Sequence, residues 1–467
     1  MKSIFDYDNA QTENYIRPLT VKKYSLSKQL TRAELDLPDV SEYNVVRHYT
    51  KLSKMAFGVD DGFYPLGSCT MKYNPKLNEE VAALKGFTKV HPLQSADTLS
   101  GCVKVCKMLS ESLKEITGMD ACTLQPAAGA HGEFTGLLLI KKYHESRGDF
   151  GRKKIIVPDS AHGTNPASAA MAGFEVVEVK SNSEKGVDVE QLRQIVGEDT
   201  AALMLTNPTT LGLFEKNIVE IADIIHKAGG LLYYDGANLN AVMGIARPKD
   251  MGFDVVHFNL HKTFSTPHGG GGPGSGPVCC TEDLKEFLPY PVVNEDFKMP
   301  QNSVGKVTAF YGNFSVMVKA LCYILTLGGK GLKEASTCAV LNANYLKSRL
   351  QKVYDTDSDR YCMHEFVLSL QKLKDETGVS AIDVAKSLID FGIHPPTMYF
   401  PLIVHEALMF EPTESATKEM LDETAEVMLR LYEEAKTNPE KLHLAPHNAV
   451  ISRPDEVKAA KDCKLRY

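Results

Sequence analysis

Three features are missing from this 467-residue sequence, and each absence excludes a class of protein. There is no run of about 18 apolar residues, so we expect no membrane span. There is no block of basic residues and the formal net charge is −7, so nucleic acid is not an expected partner. The N-terminal stretch MKSIFDYDNAQTENYIRP has neither the apolar core of a signal peptide nor the arginine-rich character of a transit peptide.

The ten cysteines are scattered and form no paired CxxC motifs. This pattern is typical of reduced thiols, so the sequence predicts a cytoplasmic protein. Cys102 and Cys106 are four residues apart, and a helix would place them on one face. Two small core residues are favoured there over a metal site. We expect no bound metal.

Between about residues 96 and 330, short apolar runs alternate with helical patterns, and buried strands have the β-branched and aromatic composition of these runs. The runs are KIIVP (154–158), FEVVEV (174–179), AALMLT (201–206), LLYYD (231–235), DVVHFNL (254–260) and GPVCC (276–280). Helices are expected over 217–230 and directly after Asp188. Strand–helix–strand alternation predicts a largely parallel sheet.

The flanking segments have different patterns. The loop FYPLGSCTMKYNP (63–75) is either a connection or a binding loop. Residues 340–354 and 418–435 have amphipathic helical patterns, and 364–370 resembles a strand. We therefore expect an N-terminal extension over 1–95, a large domain over 96–330 and a smaller α+β domain over 331–467.

Ligands of parallel sheets bind beyond the carboxyl ends of the strands, so the residues after each run are candidates for a site. Asp235 ends a buried strand and needs a partner, which a protonated ring nitrogen would provide; helix capping or a metal are the alternatives. His162 follows KIIVP, although a lone histidine is more often structural. Asn207, Thr209 and Thr210 follow AALMLT, where a turn built on Asn-Pro is the alternative.

Lys262 follows DVVHFNL and precedes a glycine tract. Burial lowers the pKa of a lysine and frees its amine to form a Schiff base, whereas a point charge for phosphate is the alternative. PAAGAHGEFTG (126–136) precedes a helix whose N-terminus could hold an anion, although many helices start this way. An anion cradle, a stacking ring, an aspartate and a lysine in this order are the parts that a pyridoxal phosphate (PLP) enzyme needs.

The sequence resembles a known family at these positions. The stretches are YPLGSCTMKYNP, AAGAHGE, HGTNPASA, TNPTTLGLFE, DGANLNA, NLHKTFSTPHGGGGPG and EPTES, and they span most of 63–415. They resemble the glycine dehydrogenase (decarboxylating) P-protein of the glycine cleavage system, in particular subunit 2 of its two-subunit form. The resemblance implies a fold-type-I PLP enzyme of the aspartate-aminotransferase type, an α/β fold with a mostly parallel large-domain sheet and a smaller C-terminal α+β domain.

The resemblance also implies roles for single residues. Lys262 matches the Schiff-base lysine, Asp235 the partner of the pyridine nitrogen, and His162 the histidine stacked on the ring. The remaining cofactor-binding positions that it implies are Gly129 and Ala130 in the phosphate turn, His261 beside the phosphate, Ala237, and Asn207 and Thr209 near the cofactor's O3′ or the substrate. The loop Leu66–Lys72 resembles a segment that helps to cover the site.

The family's reaction is the decarboxylation of glycine with transfer of the aminomethyl group to the lipoyl arm of the H-protein. A partner subunit 1 in an α₂β₂ assembly is implied as well. Two alternatives stay open. A different PLP enzyme, such as an aminotransferase or a cysteine-desulfurase-like lyase, fits Asp235 and Lys262 equally well. A non-catalytic half that supports a paralogous subunit fits less well, because it has no need of Lys262.

Overall fold

The computed structural model describes residues 3–7, 24, 26–32, 38, 40–268, 274–291, 301–356 and 358–462. The chain divides into two compact units, Met1–Asp61 and Gly62–Tyr467. The first unit contains a 3₁₀ turn at Ile4–Asp6 and helix α1 (Glu42–Ser53). The domain boundaries after residues 95 and 330 stay predictions. Most of the N-terminal stretch 1–18 and the glycine tract 269–272 lie outside the described residues.

The second unit contains two sheets and the helices that pack on them. The strands are β1 (Ala121–Thr123), β2 (Lys154–Pro158), β3 (Glu175–Val179), β4 (Thr200–Leu205), β5 (Leu231–Gly236), β6 (Val255–Phe258), β7 (Val278–Cys280), β8 (Asp355–Thr356), β9 (Phe366–Ser369), β10 (Thr397–Met398) and β11 (Ala407–Phe410). The α-helices are α2 (Lys76–Ala82), α3 (Lys85–Thr88), α4 (Ser100–Thr117), α5 (Gly129–Ser146), α6 (Thr164–Met171), α7 (Val189–Ile195), α8 (Ile218–Lys227), α9 (Phe314–Leu350), α10 (Gln371–Thr377), α11 (Ala381–Ile389), α12 (Lys418–Thr437), α13 (Pro439–His443) and α14 (Glu456–Lys461). Short 3₁₀ helices lie at Ala96–Leu99, Pro248–Met251 and Glu282–Phe287.

The larger sheet has the strand order β1-β7-β6-β5-β4-β2-β3. Strands β3, β2, β4, β5 and β6 are parallel to one another, whereas β7 is antiparallel to β6 and to β1. Each of the six apolar runs overlaps one of these strands, so the predicted, largely parallel sheet is confirmed. The three-residue strand β1 was not predicted from the sequence.

Both faces of this sheet are covered, which explains why its strands have continuous apolar runs. Tyr234 of β5 lies in one hydrophobic cluster with Ile221 and Ile225 of α8. Its neighbour Tyr233 points to the opposite face and joins a second cluster with Leu137 of α5. Successive side chains of a strand alternate between its two faces, so one strand supplies both layers.

The helices expected at 217–230 and after Asp188 are present as α8 and α7. The Asp188 carboxylate accepts a hydrogen bond from the Gln191 N–H at 3.0 Å, which caps α7. Cys102 and Cys106 both lie on α4. Burial raises the pKa of Cys106 to about 12, so its thiol is an unreactive core group.

The smaller sheet is antiparallel, with the strand order β10-β11-β9-β8. Helix α9 links the two sheets, because Met317 lies in the cluster beneath the larger sheet and Leu346 in the cluster beneath the smaller one. Gly328, with φ 59° and ψ 178°, interrupts this helix. Among the described residues α9 is the one helix whose length and composition alone would allow it to cross a membrane, and core helices pass the same test.

Helix α5 lies so close to the larger sheet that its Gly136 has no room for a side chain. A Cβ atom there would be 2.4 Å from Tyr233 Cε2 and 3.0 Å from Val255 Cγ1. We expect Gly136→Ala to lower the free energy of unfolding by about 1–3 kcal/mol because the core becomes overpacked. Urea-induced unfolding followed by circular dichroism measures this change.

The matched control is Gly101→Ala on α4, where a Cβ atom would meet no atom within 4 Å. Alanine favours helix more than glycine, so this variant should keep or gain stability, by up to about 1 kcal/mol. Equal losses of stability in the two variants would contradict the close packing of α5.

Candidate active site

A cavity of about 200 Å³ lies beyond the carboxyl ends of β2, β4, β5 and β6. This is the position at which parallel sheets bind ligands. Seven of the residues proposed from the sequence line the cavity: Gly129, Ala130, His162, Thr210, Asp235, Ala237 and Lys262. The fold therefore brings together residues that are up to 133 positions apart along the chain.

Asp235 supplies a buried carboxylate to the cavity wall, with 4% of the residue exposed. Its Oδ2 accepts a hydrogen bond from Asn165 Nδ2 at 2.7 Å, and its Oδ1 accepts one from the Ala237 N–H at 3.1 Å. Burial acts to raise the pKa of Asp235, but His257, these two donors and Lys262 outweigh it, so that the pKa is lowered. Asp235 is therefore a fixed negative charge.

His257 of β6 lies behind Asp235, with its Nε2 3.5 Å from Asp235 Oδ1. Burial lowers the pKa of His257 although Asp235 opposes the shift, so the ring is neutral at neutral pH. The Tyr233 hydroxyl lies 2.7 Å from His257 Nδ1. Burial raises the pKa of Tyr233 far above its usual range, so this hydroxyl keeps its proton and is able to donate a hydrogen bond to Nδ1. We infer that the ring proton is on Nε2, facing the carboxylate.

A second buried acid, Glu133, lies beside Asp235 and was not identified from the sequence. It is on α5, one helical turn after Gly129 and on the same face. Its Oε1 lies 2.8 Å from Thr164 Oγ1, and its Oε2 accepts hydrogen bonds from Ser168 Oγ at 3.0 Å and Asn165 Nδ2 at 3.3 Å. Burial, and then the charge of Asp235, raise the pKa of Glu133 to about 7.

His162 lies directly before α6 and lines the cavity. Its Nδ1 accepts a hydrogen bond from the Thr164 N–H at 3.1 Å and lies 2.9 Å from Thr164 Oγ1. The ring centroid is 5.2 Å from that of Phe400, which also lines the cavity. Burial lowers the pKa of His162, with Asp235 opposing and Lys262 adding to the shift. A neutral imidazole therefore faces the cavity at neutral pH.

The N-terminus of the 18-residue helix α5 reaches the cavity at Gly129 and Ala130. A Cβ atom on Gly129 would lie 2.6 Å from Asn259 Oδ1, so glycine is needed for this close approach. The open N–H groups and the dipole of a helix N-terminus favour an anion. This end of the cavity is therefore suited to a phosphate group.

His261 does not line the cavity, although it precedes Lys262, which does. Its Nδ1 accepts a hydrogen bond from the Ser275 N–H at 3.3 Å, and its ring contacts His268 edge to face at 5.1 Å. Burial, His268 and Lys262 lower the pKa of His261 to about 3. The ring is therefore neutral, and as a neighbour of a bound phosphate it would act through hydrogen bonds rather than through charge.

Asn207 and Thr209 lie in the same loop as the cavity wall but do not line the cavity. Asn207 Oδ1 accepts a hydrogen bond from the Glu215 N–H at 2.9 Å, and Thr209 Oγ1 accepts one from the Leu211 N–H at 3.3 Å. Both side chains thus stabilise the loop, as the turn alternative expected. The residues of this loop that line the cavity are Thr206, Pro208 and Thr210.

The 63–75 loop reaches the cavity through Ser68. The Ser68 N–H donates a hydrogen bond to Glu365 Oε2 at 3.0 Å, and Thr70 Oγ1 donates one to Glu411 Oε1 at 2.7 Å. Asn238 Nδ2, just beyond β5, donates to the same Glu411 oxygen at 2.8 Å. Glu411 therefore joins the loop, the larger sheet and the end of β11 at one point. Ser68 thus brings this loop to the cavity, and the covering role expected for Leu66–Lys72 stays a prediction.

Two further lining residues, His364 and Glu365, come from the start of β9. The sequence predicted only a strand there, because nothing local in HEFVLSL places its first residues opposite Lys262. Burial raises the pKa of Glu365, against the effect of His364. This wall of the cavity contains no lysine or arginine among its described residues, and Lys262 is the one such residue in the described lining.

Comparison with known proteins gives matches along most of the chain. Residues 335–454 match the family described as glycine dehydrogenase, C-terminal domain, and residues 138–291 match aminotransferase class-V. A probable glycine dehydrogenase (decarboxylating) subunit 2 of Treponema denticola is 65% identical, over 96% of this chain and 95% of that protein. A protein of the same name from Caldanaerobacter subterraneus subsp. tengcongensis is 59% identical, over 99% of this chain and 98% of that protein.

The chain belongs to the glycine dehydrogenase (decarboxylating) subunit 2 family. The family resemblance stated from the sequence is therefore confirmed.

Two solved structures share the architecture. A crystal structure of a glycine decarboxylase (P-protein) of the glycine cleavage system, in inhibitor-bound form, has a TM-score of 0.71 at 19% identity, over 87% of this chain and 93% of that one. Glutamate decarboxylase of Lactobacillus brevis has a TM-score of 0.67 at 12% identity, over 93% of this chain and 98% of that one. At these identities the likeness concerns the fold, and the predicted fold-type-I, aspartate-aminotransferase-like architecture is confirmed.

The raised pKa of Glu133 predicts a change of stability with pH. The pKa is 4.5 ordinarily and about 7 in the folded protein, so the stability that Glu133 contributes is present below pH 4.5 and is lost as the pH rises to 7. Glu133→Gln cannot ionise and escapes this loss. Between about pH 5 and about pH 8, the unfolding free energy of the variant relative to wild type should therefore rise, by up to about 3 kcal/mol.

Urea unfolding of both proteins at the two pH values measures this difference. Ser168→Ala removes one hydrogen bond to Glu133 but leaves the carboxyl group in place, so it should still lose stability as the pH rises, with the loss extending to higher pH because that bond lowers the pKa of Glu133. A difference between wild type and Glu133→Gln that stays constant with pH would show that Glu133 is ionised throughout.

Proposed function

We propose that this chain is subunit 2 of a glycine dehydrogenase (decarboxylating), and that it removes the carboxylate of glycine as CO₂ and passes the aminomethyl group to a lipoyl disulfide. The observation that carries the proposal is the 65% identity, along nearly the whole of both chains, with a relative of that name. The cavity supports it, because a lysine, a buried aspartate and a helix N-terminus meet there.

The cavity residues fit PLP. Lys262 would hold the aldehyde carbon, Asp235 the ring nitrogen, His162 the ring face, and Gly129 with Ala130 the phosphate. The cradle at Gly129 leaves no room for a Cβ atom, and Asp235 carries its charge inside the cavity, as a protonated ring nitrogen requires. The cofactor, when bound, would supply the electron sink for decarboxylation.

The chain's own residues would bind and orient the substrate. The Asp235 carboxylate is held by Asn165 and the Ala237 N–H. It would keep the ring nitrogen of the cofactor protonated throughout the reaction. The wall formed by Ser68, His364 and Glu365 encloses the side opposite the sheet. It carries no lysine or arginine among its described residues, so a substrate carboxylate would have no strong ion pair to lose when it departs as neutral CO₂.

The partners follow from the same proposal. A relative named subunit 2 implies a separate subunit 1, with which this chain would form an α₂β₂ assembly, and a lipoylated H-protein would deliver the disulfide. A cytoplasmic location fits the free cysteines among the described residues.

Lys262→Ala should abolish the activity. The purified variant, combined with subunit 1 and H-protein, should show no release of CO₂ from glycine and no exchange of radiolabelled bicarbonate into the glycine carboxyl group. Lys227→Ala, at a lysine whose side chain is 75% exposed, is the control and should exchange at the wild-type rate. Turnover by Lys262→Ala at the wild-type rate would contradict the role of Lys262.

Subunit 1 can be tested separately. Co-expression with subunit 1 should yield a complex of both chains that has exchange activity. The same assay on this chain expressed without subunit 1 measures whether the chain is active alone. If the loaded protein instead accepts an amino group from an amino-acid donor and releases no CO₂, it is an aminotransferase and the proposed reaction is wrong.

A further inference from the structure

Glu133, Thr164 and His162 form a continuous chain of hydrogen-bonding atoms. Thr164 Oγ1 lies 2.8 Å from Glu133 Oε1 and 2.9 Å from His162 Nδ1. Glu133 is buried, with 4% of the residue exposed, and all three residues line the cavity. The three groups therefore connect a buried carboxyl group with the His162 ring within one cavity.

The single hydroxyl proton of Thr164 allows two arrangements. In one, protonated Glu133 donates to Thr164 Oγ1, which donates to an unprotonated His162 Nδ1. In the other, His162 Nδ1 carries the proton and donates to Thr164 Oγ1, which donates to the Glu133 carboxylate. The two differ by the transfer of one proton along the chain, and neither changes the number of protons in the site.

The backbone selects between the two arrangements. The Thr164 N–H also points at His162 Nδ1, from 3.1 Å, and a fixed donor there disfavours a proton on that nitrogen. The resting position of the proton is therefore on Glu133. This agrees with the pKa of about 7 for Glu133 and with the lowered pKa of His162.

The charged and titratable groups around Glu133 support the same resting state. Asp235 at the end of β5 is the nearest acid and stays ionised, so its charge disfavours a second negative charge on Glu133. His257 and Tyr233, on β6 and β5, are neutral. On the cavity side Asp235 favours a proton on His162 and Lys262 opposes one.

We propose that Glu133 stores a proton that passes through the Thr164 hydroxyl to His162, and that the His162 ring presents it to the cavity. In each transfer the O–H bond of Glu133 breaks as a new O–H bond forms on Thr164, and the original Thr164 proton moves to Nδ1. The ring then carries a proton on each nitrogen, and the proton that it can give up is the one on Nε2. The reverse step returns the proton to Glu133.

The use of this proton rests on the proposed function, whereas the relay rests on the geometry alone. In the proposed reaction the amino group of glycine gives up one proton as it joins the site. Later a carbon–sulfur bond forms, the sulfur–sulfur bond breaks, and the electron pair goes to the second sulfur, which takes one proton. A group that accepts and donates one proton near neutral pH serves both steps.

The test is a pH titration of the His162 ring nitrogens by NMR, in the cofactor-loaded protein made with isotope-labelled histidine and assigned with a His162→Asn variant. In the wild type the His162 nitrogen shifts should change with a midpoint near pH 7, which is the pKa of Glu133. In Glu133→Gln this step should disappear or move by at least about one pH unit. The Thr164→Val variant, which lacks the connecting hydroxyl, should lose the step as well.

Two variants separate a relay from a structural role. Thr164→Ser keeps a hydroxyl group and should restore the wild-type titration. Ser168→Ala removes a different hydrogen bond to Glu133, on Oε2, and should keep the step in the His162 titration, with its midpoint moved to higher pH because that bond lowers the pKa of Glu133. If the wild-type step persists in Thr164→Val, or if Ser168→Ala loses it as completely, the relay is wrong.

The Thr164 and Ser168 variants decide the question even if Glu133→Gln does not fold. The NMR measurement needs no turnover, so it stands whether or not glycine proves to be the substrate. With an active assembly, the pH profile of kcat should lose its inflection near pH 7 in Thr164→Val and regain it in Thr164→Ser.

Discussion

The site depends on one buried carboxylate that stays ionised. Asp235 ends a strand of the larger sheet and is removed from water, which by itself disfavours the charge. Asn165, the Ala237 N–H and the neighbouring His257 together overcome that penalty. Because Asp235 keeps its charge, the adjacent Glu133 holds its proton up to about pH 7. The charge of Asp235 at the end of β5 thus determines the protonation state of Glu133 and, through Thr164, that of His162.

The fold supplies this arrangement from both sides. The parallel strands bring Asp235 and Lys262 to one edge of the sheet, and α5 brings its N-terminus and Glu133 to the same edge. The opposite wall comes from β9 and from the 63–75 loop, which Glu365 and Glu411 hold in place. A substrate would therefore lie between a wall that carries the charge of Asp235 and the amine of Lys262 and a wall without lysine or arginine among its described residues.

The sequence predicted the parts of this site that depend on local pattern. Asp235 ends one apolar run and Lys262 lies two residues after another, so the rule for parallel sheets predicts that they meet at the same edge. Glu133, Asn165 and His257 were not identified, because their importance lies in distances between elements that no local pattern encodes. Asn207 follows a strand as a site residue would, but its side chain accepts a hydrogen bond from the Glu215 N–H and does not line the cavity. Asparagine side chains in turns commonly bond with the backbone of their own loop.

The most direct measurement is the nitrogen NMR shift of the ring of PLP labelled with heavy nitrogen and bound to this protein. A buried, ionised Asp235 predicts a ring nitrogen that stays protonated between about pH 6 and about pH 9, and that loses its proton in Asp235→Asn, where the charge is removed. A ring nitrogen that is unprotonated in the wild type, or equally protonated in the variant, would contradict the central role of the Asp235 charge.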